Sequence, residues 1–345
     1  MIVLVGSAGF EGALADEVGG RVVAPGIVSA EANVSPDLDP AFARQVLPAA
    51  ALIEAPSVAR LAAGALDALW DRFASKRGRW RLDVWAVQQG PLGSRAALVA
   101  RAFSTLLEAR RRRRAREREE AGAADQVVQL LLVDPARLYC SAAAPLPLAW
   151  GGTWPGPFPA GVAPVTEDRS APSSAYRKLL EAFAWLGQAP RPGQRCIDLG
   201  ASPGGWTHVA LAAGAQVFAV DRADLDPRLS GHPRLSHRRG DAFGFAPEAP
   251  VDWLLCDVIA EPERSVALLE RWIDLGLCRR FIVHLKFKGT GRYALSDQAI
   301  ARARASGRFS IARRKHLVAD KHELTLFGAA APSGRFAENA GPFPE

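Results

Sequence analysis

The chain has 345 residues, 49% of them hydrophobic, and a formal net charge of +7 at pH 7. That length supplies cores for two or three domains, and the basic balance suits a polyanionic partner. Its apolar runs break at charge or glycine before the ~18 residues needed to span a bilayer, and the amino terminus lacks the basic start and cleavage pattern of a secretory signal, so a cytoplasmic protein with no membrane partner is expected.

In chain order, "MIVLVGSAGFEGALADEVGG" reads as a strand over 2–5, a loop and a helix stopped by Gly19 and Gly20. A helix "SVARLAAGALDALWDRF", a strand "WRLDVWAVQ", a long helix from Ser94 and a strand "QVVQLLLVD" follow, a mixed α+β pattern. The long helix ends in "RRRRRAREREE" (110–120), either a solvated helix end or a phosphate-contacting surface. Prolines and glycines dominate from Pro145 to Pro172 and mark a boundary. From Ser173 the pattern becomes a regular alternation. The helix "SSAYRKLLEAFAWLG", with serines placed to cap it and Gly187 at its end, precedes a strand to Leu199, a glycine loop, a helix and the strand "QVFAVD". Then come "VDWLLCD", the helix "ERSVALLERWIDLG", the strand "RFIVHLKFKG", a helix near 296–306 and two closing strands ending in "KHELTLFG". This predicts a doubly wound α/β domain whose ligand lies beyond the carboxyl ends of its parallel strands.

The loop "DLGASPGGWTHVA" (198–210) is where that domain gives up its side chains. Glycines let a ligand approach the main chain closely. "GASPGG" is neither GxGxxG nor a GxxxxGK[ST] phosphate loop, so a nucleoside-bearing ligand without a pyrophosphate fits best, S-adenosylmethionine being the common one. Asp198, Asp221, Asp241 and Asp257 recur at one rim of the sheet, and Asp221 stands where a carboxylate accepts from ribose hydroxyls. The bases are 37 arginines and six lysines, among them Lys178, Lys286 and Lys288. In such a chain a lysine marks a place where a group that can lose its proton is useful, since guanidinium cannot. Cys140, Cys196, Cys256 and Cys278 are scattered without ligand spacing, so neither a disulfide framework nor a metal site is expected.

"IDLGASPGGWTHVA", "AVD", "GDAF", "LLCDV" and "HLKFKG", preceded by "SSAYRKLLEAF", resemble the ribose 2′-O-methyltransferases related to the heat-shock rRNA methylase. With "GFEGALADEV" and the basic middle segment, the whole chain resembles their longer bacterial branch, which carries a THUMP domain and methylates a cytidine ribose of 23S rRNA. The resemblance implies a Rossmann-like class I methyltransferase domain over 173–345, preceded by a ferredoxin-like α+β subdomain (1–55), a THUMP-like RNA-binding domain (56–160) and a linker (161–172). It implies a donor site of Ser173, Asp198, Gly200, Ser202, Pro203, Gly204, Gly205, Trp206, Asp221, Asp241 and Asp257, and a catalytic set of Lys178, Asp257, Lys286 and Glu323. Ser202 stands where many relatives have cysteine. Bare or immature 23S rRNA is the implied partner, with no DNA, and a monomer is expected.

A ribose hydroxyl is a poor nucleophile, and in-line attack on a sulfonium methyl needs its proton removed and its oxygen aimed. Lys286 is the expected base, with Lys178 and Lys288 as neighbouring cations, Asp257 holding it, and Glu323 orienting Lys178. His284 and His322 adjoin these candidates, but neighbours in a strand turn to opposite faces; His322 is expected to be a bystander, the alternative being the fourth catalytic position, where some related methylases have histidine, and His208 is expected to be structural. By the same alternation Cys256 faces the core if Asp257 faces the ligand, which argues against pyrimidine C5 chemistry, and "DVIAEP" is not the [ND]PP[YF] of amino methylation. The alternatives are a noncatalytic ribosome-assembly protein that keeps the fold, a methylase with another RNA target, and a small-molecule methylase.

Overall fold

The computed structural model describes residues 1–74, 80–114, 126–289 and 293–331, and of residues 73–74 and 111–114 only the backbone. The chain forms two compact units, Met1–Val162 and Ala163–Glu345.

In the first unit, β1 (Ile2–Val5), α1 (Glu11–Val18), β2 (Arg21–Ala24), β3 (Ile27–Ala30) and β4 (Gln45–Leu47) build an antiparallel sheet of order β2-β3-β1-β4. Gly19 ends α1 at φ 60°, a left-handed cap that glycine takes without strain. A second sheet, of order β5-β8-β7-β6, contains β5 (Ala51–Glu54), β6 (Trp80–Ala86), β7 (Gln126–Asp134) and β8 (Arg137–Ala143). Two helices, α2 (Val58–Leu69) and α3 (Pro91–Arg114), cover one of its faces through Leu61, Leu69, Val99 and Phe103. On α2 the buried positions fall at helical spacing, and the Ser57 side chain accepts from Arg60 N–H at its start. The opposite face places Leu131 and Tyr139 against Val3, Val5 and Leu47, so the two sheets share a core. As far as Val162 the proline- and glycine-rich stretch belongs to this unit, through β9 (Leu146–Pro147) and β10 (Thr153–Trp154). Trp154 is fully buried and donates to Leu38 O (2.7 Å), while Gln45 bonds Gly156 N–H and Phe158 O. Arg110, first of the arginine run, donates to Asp67 and lies over the Trp70 ring (4.0 Å), so it packs on its own unit. The rest of the run, 111–118, lies outside the described side chains.

In the second unit, α4 (Tyr176–Leu186), β11 (Arg195–Leu199), α5 (Gly205–Ala212), β12 (Gln216–Asp221), β13 (Leu235–Arg239), β14 (Val251–Cys256), α6 (Pro262–Asp274), β15 (Cys278–Lys286), α7 (Ala294–Ala305), β16 (Phe309–Lys315) and β17 (Glu323–Ala330) follow in order. They build a seven-stranded sheet, β13-β12-β11-β14-β15-β17-β16. The first five strands are parallel and the last two antiparallel to their neighbours. Buried on both faces, β11, β14 and β15 read as nearly continuous apolar runs. Strand β13, "LSHRR", has four exposed positions of five and so carries no such signal. The start of α4 departs from expectation. Its N-cap is Ala175, no side chain caps it, and the buried Ser173 hydroxyl has no partner in the protein.

Candidate active site

Strand β11 ends at Leu199, and the chain turns through Gly200 (φ 77°) and Gly204 (φ 113°) into α5. A β-carbon at Gly200 would stand 2.8 Å from Val258 Cα, at Gly204 2.3 Å from Leu229 Cδ1, and at Gly205 2.4 Å from Ser173 Oγ. The glycines are therefore required by protein packed around the loop as well as by any ligand lying on it. That corrects the expectation that ligand approach alone keeps the loop small. Strand β12 ends at Asp221, whose carboxylate accepts from Ser202 N–H (3.0 Å) and Ala223 N–H (2.9 Å) and so ties the two loops together.

Above these strand ends lies a cavity of about 420 Å³. Ser173, Gly200, Ser202, Pro203, Gly205, Trp206, Asp221, Asp241, Asp257 and Lys286 line it. Gly204 does not, because its α-carbon faces Leu229. Nor does Asp198: it is fully buried behind the loop, where its Oδ2 accepts from Thr207 Oγ1 (2.6 Å). Sequence reasoning put every rim carboxylate on the ligand and missed that this one lies beneath it. The lining also includes Arg222 and Arg264, which no motif flags, with Phe243 of "GDAF" and Ile259 of "DVIAEP"; Arg264 stacks on Phe243 at 4.0 Å and Arg222 pairs with Asp241.

Burial, reinforced by Asp257 and Asp221, pushes the Asp198 carboxyl up to about 7. Below about pH 4 folded and unfolded chains both hold this proton; between there and about 7 the unfolded chain releases it while the folded one keeps it, so stability falls as pH rises. Asp198→Asn is expected to be about 1–3 kcal/mol more stable relative to the native chain at pH 8 than at pH 5. Urea unfolding of both proteins at the two pH values tests this, and an equal difference at both would refute it.

Next to the cavity floor, Lys286 Nζ lies 2.8 Å from Asp257 Oδ1 and donates to Asp257 O (3.0 Å). Antiparallel pairing of β15 with β17 sets Lys286 opposite Glu323, and Glu323 holds Lys178 of α4 in a close ion pair. The side chains of all four residues are only 15–22% exposed, so these charges act through little water. Burial opposes the Lys178 ammonium, but Glu323, with Asp320 and Asp257 beyond, outweighs it and holds Lys178 above its ordinary value. The four expected catalytic residues thus form one cluster. Lys288 does not join it; it is exposed and pairs with Glu261. Cys256 is fully buried, as the alternation requires. His208 bonds Asp168 Oδ2 (2.7 Å) in the segment leading to α4. His284 corrects the sequence reading: it lies two residues before Lys286, so both side chains share a face, and its Nδ1 is 3.7 Å from Asp257 Oδ1. Among the described residues, His284, Asp320 and Glu323 bring ligand atoms within 4.8 Å of one another, yet Lys178 already supplies the cation there.

The residues present fit a nucleoside-bearing sulfonium donor. Ser173 offers a buried hydroxyl with no partner in the protein, and Asp221 and Asp241, at the ends of neighbouring strands, offer acceptors in the lining. A Rossmann-like sheet with a cavity of this lining at its carboxyl rim suits a methyltransferase, and the family matches make S-adenosylmethionine its donor. The family described as FtsJ-like methyltransferase matches residues 172–284. A protein of Laribacter hongkongensis named ribosomal RNA large subunit methyltransferase M is 35% identical over 247 residues, 68% of this chain and 67% of its own. Proteins of the same name from Thauera aminoaromatica and Stutzerimonas stutzeri are 36% identical over 180 residues (49% of each chain) and 40% identical over 145 residues (40% of this chain, 41% of that one). This chain belongs to the family of ribosomal RNA large subunit methyltransferase M. It spans about two thirds of the Laribacter protein and about half or less of the other two.

Proposed function

We propose that this chain methylates the 2′-hydroxyl of a cytidine ribose in 23S rRNA, with Lys286 as the base. The observation that carries this reading is the Lys286–Asp257 pair at the wall of the donor cavity, backed by Lys178–Glu323. The bound donor supplies an electrophilic methyl group on a cationic sulfur. Lys286 takes the hydroxyl proton as the oxygen attacks in line. Asp257 fixes the amine at the cavity, and Glu323 holds Lys178 beside it as a fixed positive charge that helps to orient the ribose oxygen.

The amino-terminal unit is read as the part that holds RNA, with a ferredoxin-like segment over 1–55 and a THUMP-like segment over 56–160 joined by 161–172 to the catalytic domain of 173–345. Its one-helix sheet of order β2-β3-β1-β4 and its basic α3 support that reading. The enzyme acts as a monomer in the cytoplasm on bare or immature 23S rRNA, because a cytidine buried in a finished subunit is out of reach. The test is to incubate the full chain and S-adenosylmethionine with protein-free 23S rRNA and with assembled large subunits, then map 2′-O-methylation. One methylated cytidine is expected, in the free RNA only. Methylation on a base, or equal methylation of assembled subunits, would contradict the reading.

A further inference from the structure

We propose that His284 is a positioning residue for methyl transfer: as a neutral imidazole it donates its Nδ1–H to Asp257, holds that carboxylate against Lys286, and has its tautomer set from behind by Thr325. The inference rests on the reading of Lys286 and Asp257 as the reacting pair.

The geometry comes from two cross-strand pairs. In the β15–β17 ladder Lys286 stands opposite Glu323 and His284 opposite Thr325, so the histidine and threonine lie directly beneath the charged cluster. Both are fully buried. His284 Nε2 is 2.7 Å from Thr325 Oγ1, and that hydroxyl is 3.2 Å from Asp320 Oδ2, which also accepts from Leu317 N–H (2.9 Å). On the other side Nδ1 has no hydrogen-bond partner and faces Asp257 Oδ1 at 3.7 Å. Trp206, a wall of the donor cavity, meets the imidazole edge to face with ring centroids 5.0 Å apart. The ring is thus confined between a tryptophan, a threonine and the carboxylate that positions the base.

A neutral imidazole has one proton to place. Burial, with Lys178 and Lys286 nearby, lowers His284 to about 3, so the ring is neutral wherever the enzyme works. If the proton sat on Nε2, the Nδ1 lone pair would point at the Asp257 carboxylate across a dry gap, a repulsive arrangement. With the proton on Nδ1 the contact is attractive, and Nε2 accepts from Thr325. A threonine hydroxyl has one proton, and the 2.7 Å contact takes it to Nε2 in preference to Asp320 Oδ2 at 3.2 Å, which Leu317 N–H already satisfies. The 3.7 Å separation exceeds a hydrogen bond by about 0.7 Å, a distance that a small swing of the Asp257 side chain closes when substrates are bound. Around the ring stand Asp257 at the end of β14, Lys286 on β15, Lys178 on α4, Glu323 on β17 and Asp320 in the turn before it, and of the carboxylates it is Asp257 that lies within 4 Å of Nδ1.

Two substitutions separate positioning from packing. An asparagine amide nitrogen falls near the place of Nδ1, whereas a glutamine amide reaches toward that of Nε2. Single-turnover transfer at saturating donor and RNA is expected to stay within about fivefold for His284→Asn and to drop about 10- to 100-fold for His284→Gln and His284→Leu, the loss of one hydrogen bond to a charged group. Donor affinity should change less than about twofold in all three. Nitrogen-15 NMR of the full native chain gives the tautomer without any variant, and an Nδ1–H ring is expected. An Nε2–H ring overturns the proposal, as does His284→Asn proving no better than His284→Leu. The parent reading fails separately: an active Lys286→Arg removes the base assignment and leaves the tautomer where it is.

Discussion

Replacing Lys286 by alanine is expected to lower single-turnover methyl transfer by about 10²–10⁴, the range lost with a general base, while S-adenosylmethionine affinity stays within a few fold. The two effects should separate because Lys286 lines the cavity beside Asp257, whereas Asp221, Asp241 and the glycine loop, which line the same cavity, are the proposed contacts of the donor. Lys286→Arg is the sharper variant. Arginine keeps a positive charge opposite Asp257, so an electrostatic role that steadies the ribose would survive the change, but guanidinium does not accept a proton at any working pH. Near-wild-type turnover by the arginine variant would therefore overturn the base.

Asp221→Ala is expected to weaken S-adenosylmethionine binding by about 10- to 100-fold, as expected for losing one hydrogen bond between a carboxylate and a ribose hydroxyl. A further loss is possible to measure on the protein side, because the same carboxylate accepts from Ser202 N–H and Ala223 N–H, and its removal frees the two loops that frame the cavity. Asp221 is only partly buried at a strand end, so the fold should survive with a melting temperature within a few degrees. Calorimetric titration of S-adenosylmethionine decides the matter: unchanged affinity would remove Asp221 from the donor site. RNA binding by the same variant should match the native chain, which shows that the loss is confined to the donor.

The catalytic unit was legible because its signals are local. Buried parallel strands are apolar on both faces, the turn after β11 needs residues without side chains, and carboxylates recur at or just beyond strand ends. The amino-terminal unit gave weaker signals: β2, β4 and β5 are three or four residues long, and the last of these alternates half-buried and exposed positions. Pairing partners far along the chain fix such strands, as β5 is fixed by β8 some 80 residues later.

By itself the sequence determined the alternation of strands and helices after Ser173, the glycine loop, the carboxylate rim, and the lysines worth testing. Those depend on spacing within one segment, which the chain writes out directly. Only the tertiary structure decided which rim carboxylate is buried, that Ser173 faces the cavity instead of capping α4, and that His284 stands beneath Asp257. Contacts between elements set these positions: Thr207 on α5 meets Asp198 on β11, and Thr325 on β17, 41 residues on, meets His284 on β15. Burial and cross-strand register follow from packing between elements, and no short stretch of sequence contains them.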